Sequence, residues 1–201
     1  TKVWLDEQGL EKTPRALDAS LKRLQTDYVD LYLIHWPDDA TMEGCWEAMQ
    51  QLRDAGKIHA IGVSNFSVKR FDRFFSFTEE IPDVNQVELH IFLQQRELRT
   101  FCEPRQIAVE AYCPLARANR FDEPELEAIA RECSRTPAQV MIRWCLQNDL
   151  ITIPKSQRPE RIDENAGVFD FSLDPGQMQR LGRLDVGFEV STWKPDPENW
   201  Y

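Results

Sequence analysis

Nine side chains of this sequence offer chemistry in a pattern: Lys2, His35, Ser64, Asn65, Gln86, Tyr112, Lys155, Ser156 and Arg161 each lie at the edge of an apolar run. His35 belongs to Asp27–Pro37, DYVDLYLIHWP, where Val29, Leu31, Leu33 and Ile34 suit a buried strand and Trp36-Pro37 stops its pairing. An imidazole at a strand exit can donate a hydrogen bond or carry a proton, although a core histidine with a satisfied ring fits this run equally well. Lys2 in Thr1-Lys2-Val3-Trp4 is a cation beginning a strand, and by itself it reads as a surface lysine. Ser64-Asn65-Phe66 follows Ile61-Gly62-Val63, and Gln86 sits within Val84–Leu89. Side-chain amides offer donors and acceptors together and suit a neutral carboxamide ligand; loop capping by Asn65 and a structural bond at Gln86 are the plainer alternatives. Tyr112 ends another apolar strand, where its ring can lie under a planar heterocycle or simply fill a core.

A second kind of chemistry gathers at Ile153-Pro154-Lys155-Ser156-Gln157-Arg158-Pro159-Glu160-Arg161. A strand ends at Pro154, and Pro159 fits the first turn of a helix. Lys155, Ser156, Arg158 and Arg161 then concentrate cations and a hydroxyl at that helix's amino terminus, which is how a phosphate monoester is held. The alternative is a solvated basic turn. Neither a GxGxxG nor a Walker sequence is present, so a dinucleotide would have to bind without those devices.

The elements that must position these groups alternate. Strands are expected at Lys2–Leu5, Val29–His35, Ala60–Ser64, Val84–Leu89, Ala108–Tyr112 and Leu150–Pro154, separated by stretches with helical spacing. Their exits read Lys2, His35, Ser64-Asn65, Gln86 with Glu88, Tyr112-Cys113-Pro114 and Lys155-Ser156, and a ring of polar exits is what an α/β barrel uses for chemistry. Between them, Thr13-Pro14 is expected to open the first helix with Leu17, Leu21 and Leu24 on one face. Glu43–Ala55 carries Trp46, Met49 and Leu52 and ends at Gly56; Phe71, Phe74 and Phe75 repeat the pattern, as do Leu126, Ile129 and Ala130. Thr136-Pro137 starts a helix over Ala138–Gln147 with Val140, Met141, Trp144 and Cys145 inward, and residues 185–201 read as a loop over the barrel mouth.

The fold class is therefore α/β, a (β/α)8 TIM barrel with about six of its eight strands, since a whole barrel needs about 250 residues and this chain has 201. The sequence reads as beginning inside the fold, without the first two βα units. A formal net charge of −10 and the lack of a long basic cluster exclude a polyanion-binding surface, so nucleic acid is not a partner. The five cysteines are odd in number and show no Cys-x-x-Cys spacing, which argues against a disulfide framework and a zinc site and for a cytoplasmic home. No apolar run reaches the roughly 18 residues of a membrane span.

With these motifs assembled, the chain resembles the aldo-keto reductases, NADPH-dependent barrel enzymes, from Thr1-Lys2-Val3-Trp4 through Asp30–Pro37, Gly56–Phe66, Val84–Glu88 and Ile153–Ser156 to Glu164-Asn165. The resemblance implies that Lys2 and His35 are catalytic, and that Ser64, Asn65 and Gln86 hold the nicotinamide carboxamide. It further implies that Tyr112 stacks on the nicotinamide, that the turn from Cys113 to Leu115 follows the pyrophosphate, and that Lys155, Ser156 and Arg161 grip the 2′-phosphate. Glu164 and Asn165 would lie near adenine, and Trp4, Trp36 and Trp193 would line the substrate pocket. The sequence departs from the family pattern at Cys113 for serine, at Ala116 for glycine and at His90-Ile91-Phe92 for His-Pro-Tyr. The family's catalytic tyrosine and aspartate belong to a segment preceding Thr1.

By the same resemblance the reaction is hydride transfer from nicotinamide to an aldehyde or ketone, with tyrosine as proton donor, Lys2 lowering its pKa and His35 bonding the carbonyl oxygen. Acyclic or sugar-derived aldehydes and short α-dicarbonyls are the expected substrates, because the turns after His35 and Tyr112 are both short and leave an open pocket, and the full-length enzyme is expected to be a monomer. Two other readings stand beside it. One is a non-catalytic NADPH-binding subunit that senses redox state, and the other is an inactive truncated product, since the proton donor is missing.

Overall fold

The computed structural model describes residues 1–191. Six strands form one sheet in chain order: β1 (Lys2–Val3), β2 (Val29–Ile34), β3 (Ile58–Ser64), β4 (Val84–Glu88), β5 (Ala108–Tyr112) and β6 (Ile151–Thr152). Parallel register sets Lys2 against Leu33, Leu31 against Ala60, Ser64 against Gln86 and Ala111 against Thr152. Chain order and strand order coincide, as consecutive right-handed βα units require. The outer strands are shorter than expected, because Leu5–Glu7 coils into a 3-10 turn and Pro154 has no N–H to pair. Conversely β3 reaches back to Ile58, where the Val29 amide already bonds to the Lys57 carbonyl.

Eight helices accompany the strands among the described residues: α1 (Lys12–Leu24), α2 (Met42–Asp54), α3 (Val68–Phe74), α4 (Arg96–Cys102), α5 (Pro124–Glu132), α6 (Pro137–Gln147), α7 (Pro159–Ala166) and α8 (Pro175–Gly182). The chain divides into two compact units, one comprising Thr1–Gln86 and Glu97–Ala108, the other Val87–Arg96 and residues 109–191.

In the first unit, α1 buries Ala16, Leu17 and Leu21, while Leu24 at its last position is exposed. Thr13 does not cap this helix as expected. It sits inside the first turn, buried, with its hydroxyl against the Glu7 carbonyl and the Cys45 sulfur. Burial of the hydroxyl beside α2 outweighs its capping preference. On α2, Cys45, Trp46, Met49 and Leu52 are buried, and Gly56 follows with φ of 76°, the left-handed turn that glycine adopts without a Cβ penalty. Trp46, Phe66, Phe71, Phe74 and Phe101 build an aromatic core with ring centroids 4.9–5.8 Å apart for Trp46–Phe74, Phe66–Phe71, Phe66–Phe74 and Phe71–Phe101.

The second unit packs Leu126, Ile129 and Ala130 of α5 and Val140, Met141, Trp144 and Cys145 of α6. Thr136 caps α6 through a full capping box with Gln139, and Asp174 does the same for α8 with Gln177. Residues 185–191 have no regular structure; the remainder of the expected loop 185–201, with Trp193, lies outside the described residues.

Candidate active site

The first unit gathers Lys2, His35, Ser64, Asn65 and Gln86 because β1, β2, β3 and β4 are parallel and present their carboxyl ends together. The His35 amide bonds to the Val3 carbonyl at 3.1 Å, which fixes the residue just beyond β2. Asn65 follows β3 with φ of 65°, and its Nδ2 donates to the His35 carbonyl at 2.9 Å and to Ser64 Oγ at 3.1 Å. Its backbone N–H donates to the Gln86 carbonyl at 2.8 Å. Asparagine tolerates that left-handed turn, so one residue both ends the strand and ties two exits together.

Lys2 Nζ donates to Gln86 Oε1 at 2.5 Å, so the cation is directed at the amide. Burial first, and then the charge of Lys2, lower the His35 pKa to about 4. His35 is thus neutral at physiological pH and offers an N–H, not a positive charge. Trp4 is 39% exposed and stands edge-on to the imidazole at 4.8 Å, while Trp36 is buried with its ring nearly parallel to the imidazole at 6.1 Å. Tyr32, on the opposite face of β2, is fully buried; burial and the nearby Cys45 and Glu7 push its phenol far up, which unsuits it for proton donation.

In the second unit Cys113, Leu115, Lys155, Ser156, Arg161, Glu164 and Asn165 all line a cavity of about 640 Å3. The turn after β5 enters it through left-handed φ values at Cys113, Ala116, Arg117 and Ala118, none of them glycine. That geometry explains why glycine suits position 116, since alanine there carries strain of about 1–2 kcal/mol. The opposite wall is stitched together by polar bonds: Thr136 Oγ1 donates to Glu164 Oε1 at 2.5 Å, and Gln139 Nε2 donates to the Glu164 and Gly167 carbonyls. Ser156 Oγ accepts from the Arg158 N–H at 3.1 Å, folding the turn that leads into α7. Among the described residues neither Lys155 nor Arg161 has an ion-pair partner, so both cations at the start of α7 can take an anion.

Tyr112, at the end of β5, meets a cluster that sequence reasoning did not assign. Glu88 is only 5% exposed, yet its Oε1 accepts from the Val190 N–H at 2.6 Å and its Oε2 from the Ser191 N–H at 2.8 Å. His90 Nδ1 accepts from the Phe92 N–H, so Nε2 carries the proton facing Glu88 at 3.3 Å. Burial alone would raise the Glu88 pKa; the bonds from His90, Val190 and Ser191 more than offset it and hold the carboxyl below its usual range. Ser191 also hydrogen-bonds the Tyr112 hydroxyl through its side chain, and burial is the main cause that pushes that phenol up. Glu88 was visible in the sequence only as a second polar residue at the β4 exit, and Ser191, 103 residues away from it, carried no signal.

Comparison with known proteins agrees with this architecture. The aldo/keto reductase family model matches residues 1–186. The glyoxal reductase of Bacillus subtilis is 43% identical over 198 residues, covering 98% of this chain and 71% of that protein. The methylglyoxal reductase DkgA of Yersinia pestis is 43% identical over 202 residues, again 98% of this chain and 71% of its own. A crystal structure of a Gox0644 mutant in complex with NADPH superposes with a TM-score of 0.88 at 45% identity, covering 92% of this chain and 69% of that one. The chain belongs to the aldo/keto reductase family. Its α/β sheet is that of the family's barrel, and it is an oxidoreductase.

Proposed function

We propose that the protein reduces small carbonyl compounds with NADPH, short α-dicarbonyls such as glyoxal and methylglyoxal first among them. The observation that carries this reading is the neutral His35 beside Lys2 at adjoining strand exits. A neutral imidazole donates its N–H to a carbonyl oxygen and keeps it in place as negative charge develops, without surrendering a full proton. Lys2 supplies the fixed cation that lowers the pKa of a phenol placed beside it. The substrate names come from the relatives, and the exposed Trp4 edge beside His35 suits a small ligand.

NADPH, when bound, supplies the hydride. The chain fits it at two places: the Asn65 and Gln86 amides, held by His35, Ser64 and Lys2, serve the carboxamide, and the ring of Tyr112 serves the nicotinamide face. Lys155, Ser156 and Arg161 serve the 2′-phosphate, with Cys113 and Leu115 along the pyrophosphate and Glu164 and Asn165 at adenine. The five free thiols and acidic surface suit a cytoplasmic monomer. Among the described residues no helix is long and apolar enough to cross a membrane.

Titrating the protein with NADPH and with NADH by nicotinamide fluorescence tests the cofactor assignment. Each charge-assisted bond to phosphate is worth roughly 1.5–3 kcal/mol, so Lys155→Ala weakens NADPH by about tenfold or more and leaves NADH nearly unchanged. Equal losses for both would refute the phosphate site. In the enzyme, His35→Ala lowers kcat/KM for methylglyoxal with little change in NADPH affinity, and a change confined to NADPH affinity would remove His35 from the chemistry.

A further inference from the structure

We propose that Glu88 and Ser191 are positioning residues that hold the ring of Tyr112 in the plane required by the nicotinamide. The inference rests on the assignment of Tyr112 as the stacking platform. A tyrosine ring that ends a strand is fixed at Cβ but free to tilt at its hydroxyl, and here the hydroxyl is tied by the Ser191 side chain. Ser191 could not serve on a loose segment. Its backbone N–H and that of Val190 are both held by the two oxygens of Glu88, a carboxylate buried at the end of β4.

The segment carrying Ser191 is pinned at further points along its length. The Val186 and Phe188 N–H groups donate to the Phe92 carbonyl at 3.2 and 3.0 Å, and the Arg120 guanidinium lies 4.5 Å from the Phe92 ring and 5.6 Å from the Phe188 ring. Those contacts fasten residues 186–188 without reaching Tyr112. The Glu88 bonds carry the order on to residues 190 and 191. A buried carboxylate held by two backbone N–H bonds and a histidine ring is an expensive way to hold a loop unless its position matters, because breaking any one bond leaves a buried charge underpaired. The relay runs from Glu88 to the Ser191 backbone, then from the Ser191 hydroxyl to the Tyr112 hydroxyl.

The experiment compares NADPH with 2′-phospho-ADP-ribose, which carries the adenine end without a nicotinamide, on five single variants of the protein and one double variant. Ser191→Ala weakens NADPH by about three- to tenfold, the worth of one neutral hydrogen bond, and leaves 2′-phospho-ADP-ribose unchanged. Tyr112→Phe shows at least that loss, and adding Ser191→Ala to it costs less than Ser191→Ala does alone, because the two side chains share one bond. Ser191→Thr, which retains the hydroxyl, recovers most of the affinity. Glu88→Gln keeps the shape but presents an amide to one of the two backbone N–H groups, and it weakens NADPH at least as much as Ser191→Ala. If Ser191→Ala binds NADPH normally while Tyr112→Ala does not, the relay is wrong and the stacking platform stands. If Tyr112→Ala itself binds NADPH normally, the platform is wrong and the relay falls with it. Equal weakening of both ligands in Ser191→Ala would mean a general loss of structure and would also overturn the relay.

Discussion

At His35 the competition is between water, which favours the imidazolium, and a half-buried position beside Lys2, which opposes it. The second effect wins by more than two pH units, with the midpoint at about 4 against a usual 6.5. The unfolded chain therefore binds a proton that the folded chain refuses throughout that interval. The stability contributed by this neutral histidine is complete above pH 6.5 and is lost as pH falls through about 4. Nitrogen-resolved NMR of the His35 ring is expected to report a neutral imidazole down to pH 5 and a midpoint near 4. A midpoint at or above 6.5 would mean that neither burial nor Lys2 disfavours the imidazolium, and would remove the basis for treating His35 as a neutral donor. Lys2→Met is expected to raise the midpoint only part of the way, since burial is the larger cause.

At the scale of the elements, the exits converge only if β2, β3 and β4 lie close, and Gly62 sets that approach. A Cβ there would meet the Val84 carbonyl oxygen at 2.5 Å and Leu33 Cδ2 at 2.8 Å, and the first of these is backbone that cannot rotate away. Gly62→Ala is expected to cost about 1–3 kcal/mol by overpacking, read as a lower urea midpoint at unchanged slope. An unchanged midpoint would mean that the strands can part without cost. Thr136→Ala, which removes the α6 cap and the donor to Glu164, is expected to cost about 1 kcal/mol. Such elements were readable from local pattern: the apolar run into His35, the Thr136-Pro137 start and the Gly56 stop all depend on neighbours in the chain. Thr13 misled because its capping chemistry is local while its burial against Cys45 is not. The Glu88 cluster was illegible for the same reason, as its partners Val190 and Ser191 are more than a hundred residues away.

Over the whole molecule, a formal charge of −10 sets a field that opposes an anionic cofactor, while Lys155 and Arg161 create a local one that attracts it. Salt separates the two. Raising ionic strength from about 10 mM to about 150 mM shortens the Debye length from about 30 Å to about 8 Å, which screens repulsion spread over the surface. The unliganded protein is therefore expected to melt at a higher temperature in the higher salt, since self-repulsion of like charges destabilises the compact state. Cofactor stabilisation runs the other way. A ligand at a hundred times its Kd contributes about 2.7 kcal/mol, and this declines as salt weakens the attraction between the two cations and the 2′-phosphate. Thermal melts with saturable NADPH at both salts are expected to show a rising baseline and a shrinking NADPH-induced shift, with the shrinkage absent in Lys155→Ala/Arg161→Ala. If the NADPH-induced shift grows with salt, the diffuse negative field dominates cofactor binding and the local cations do not decide it.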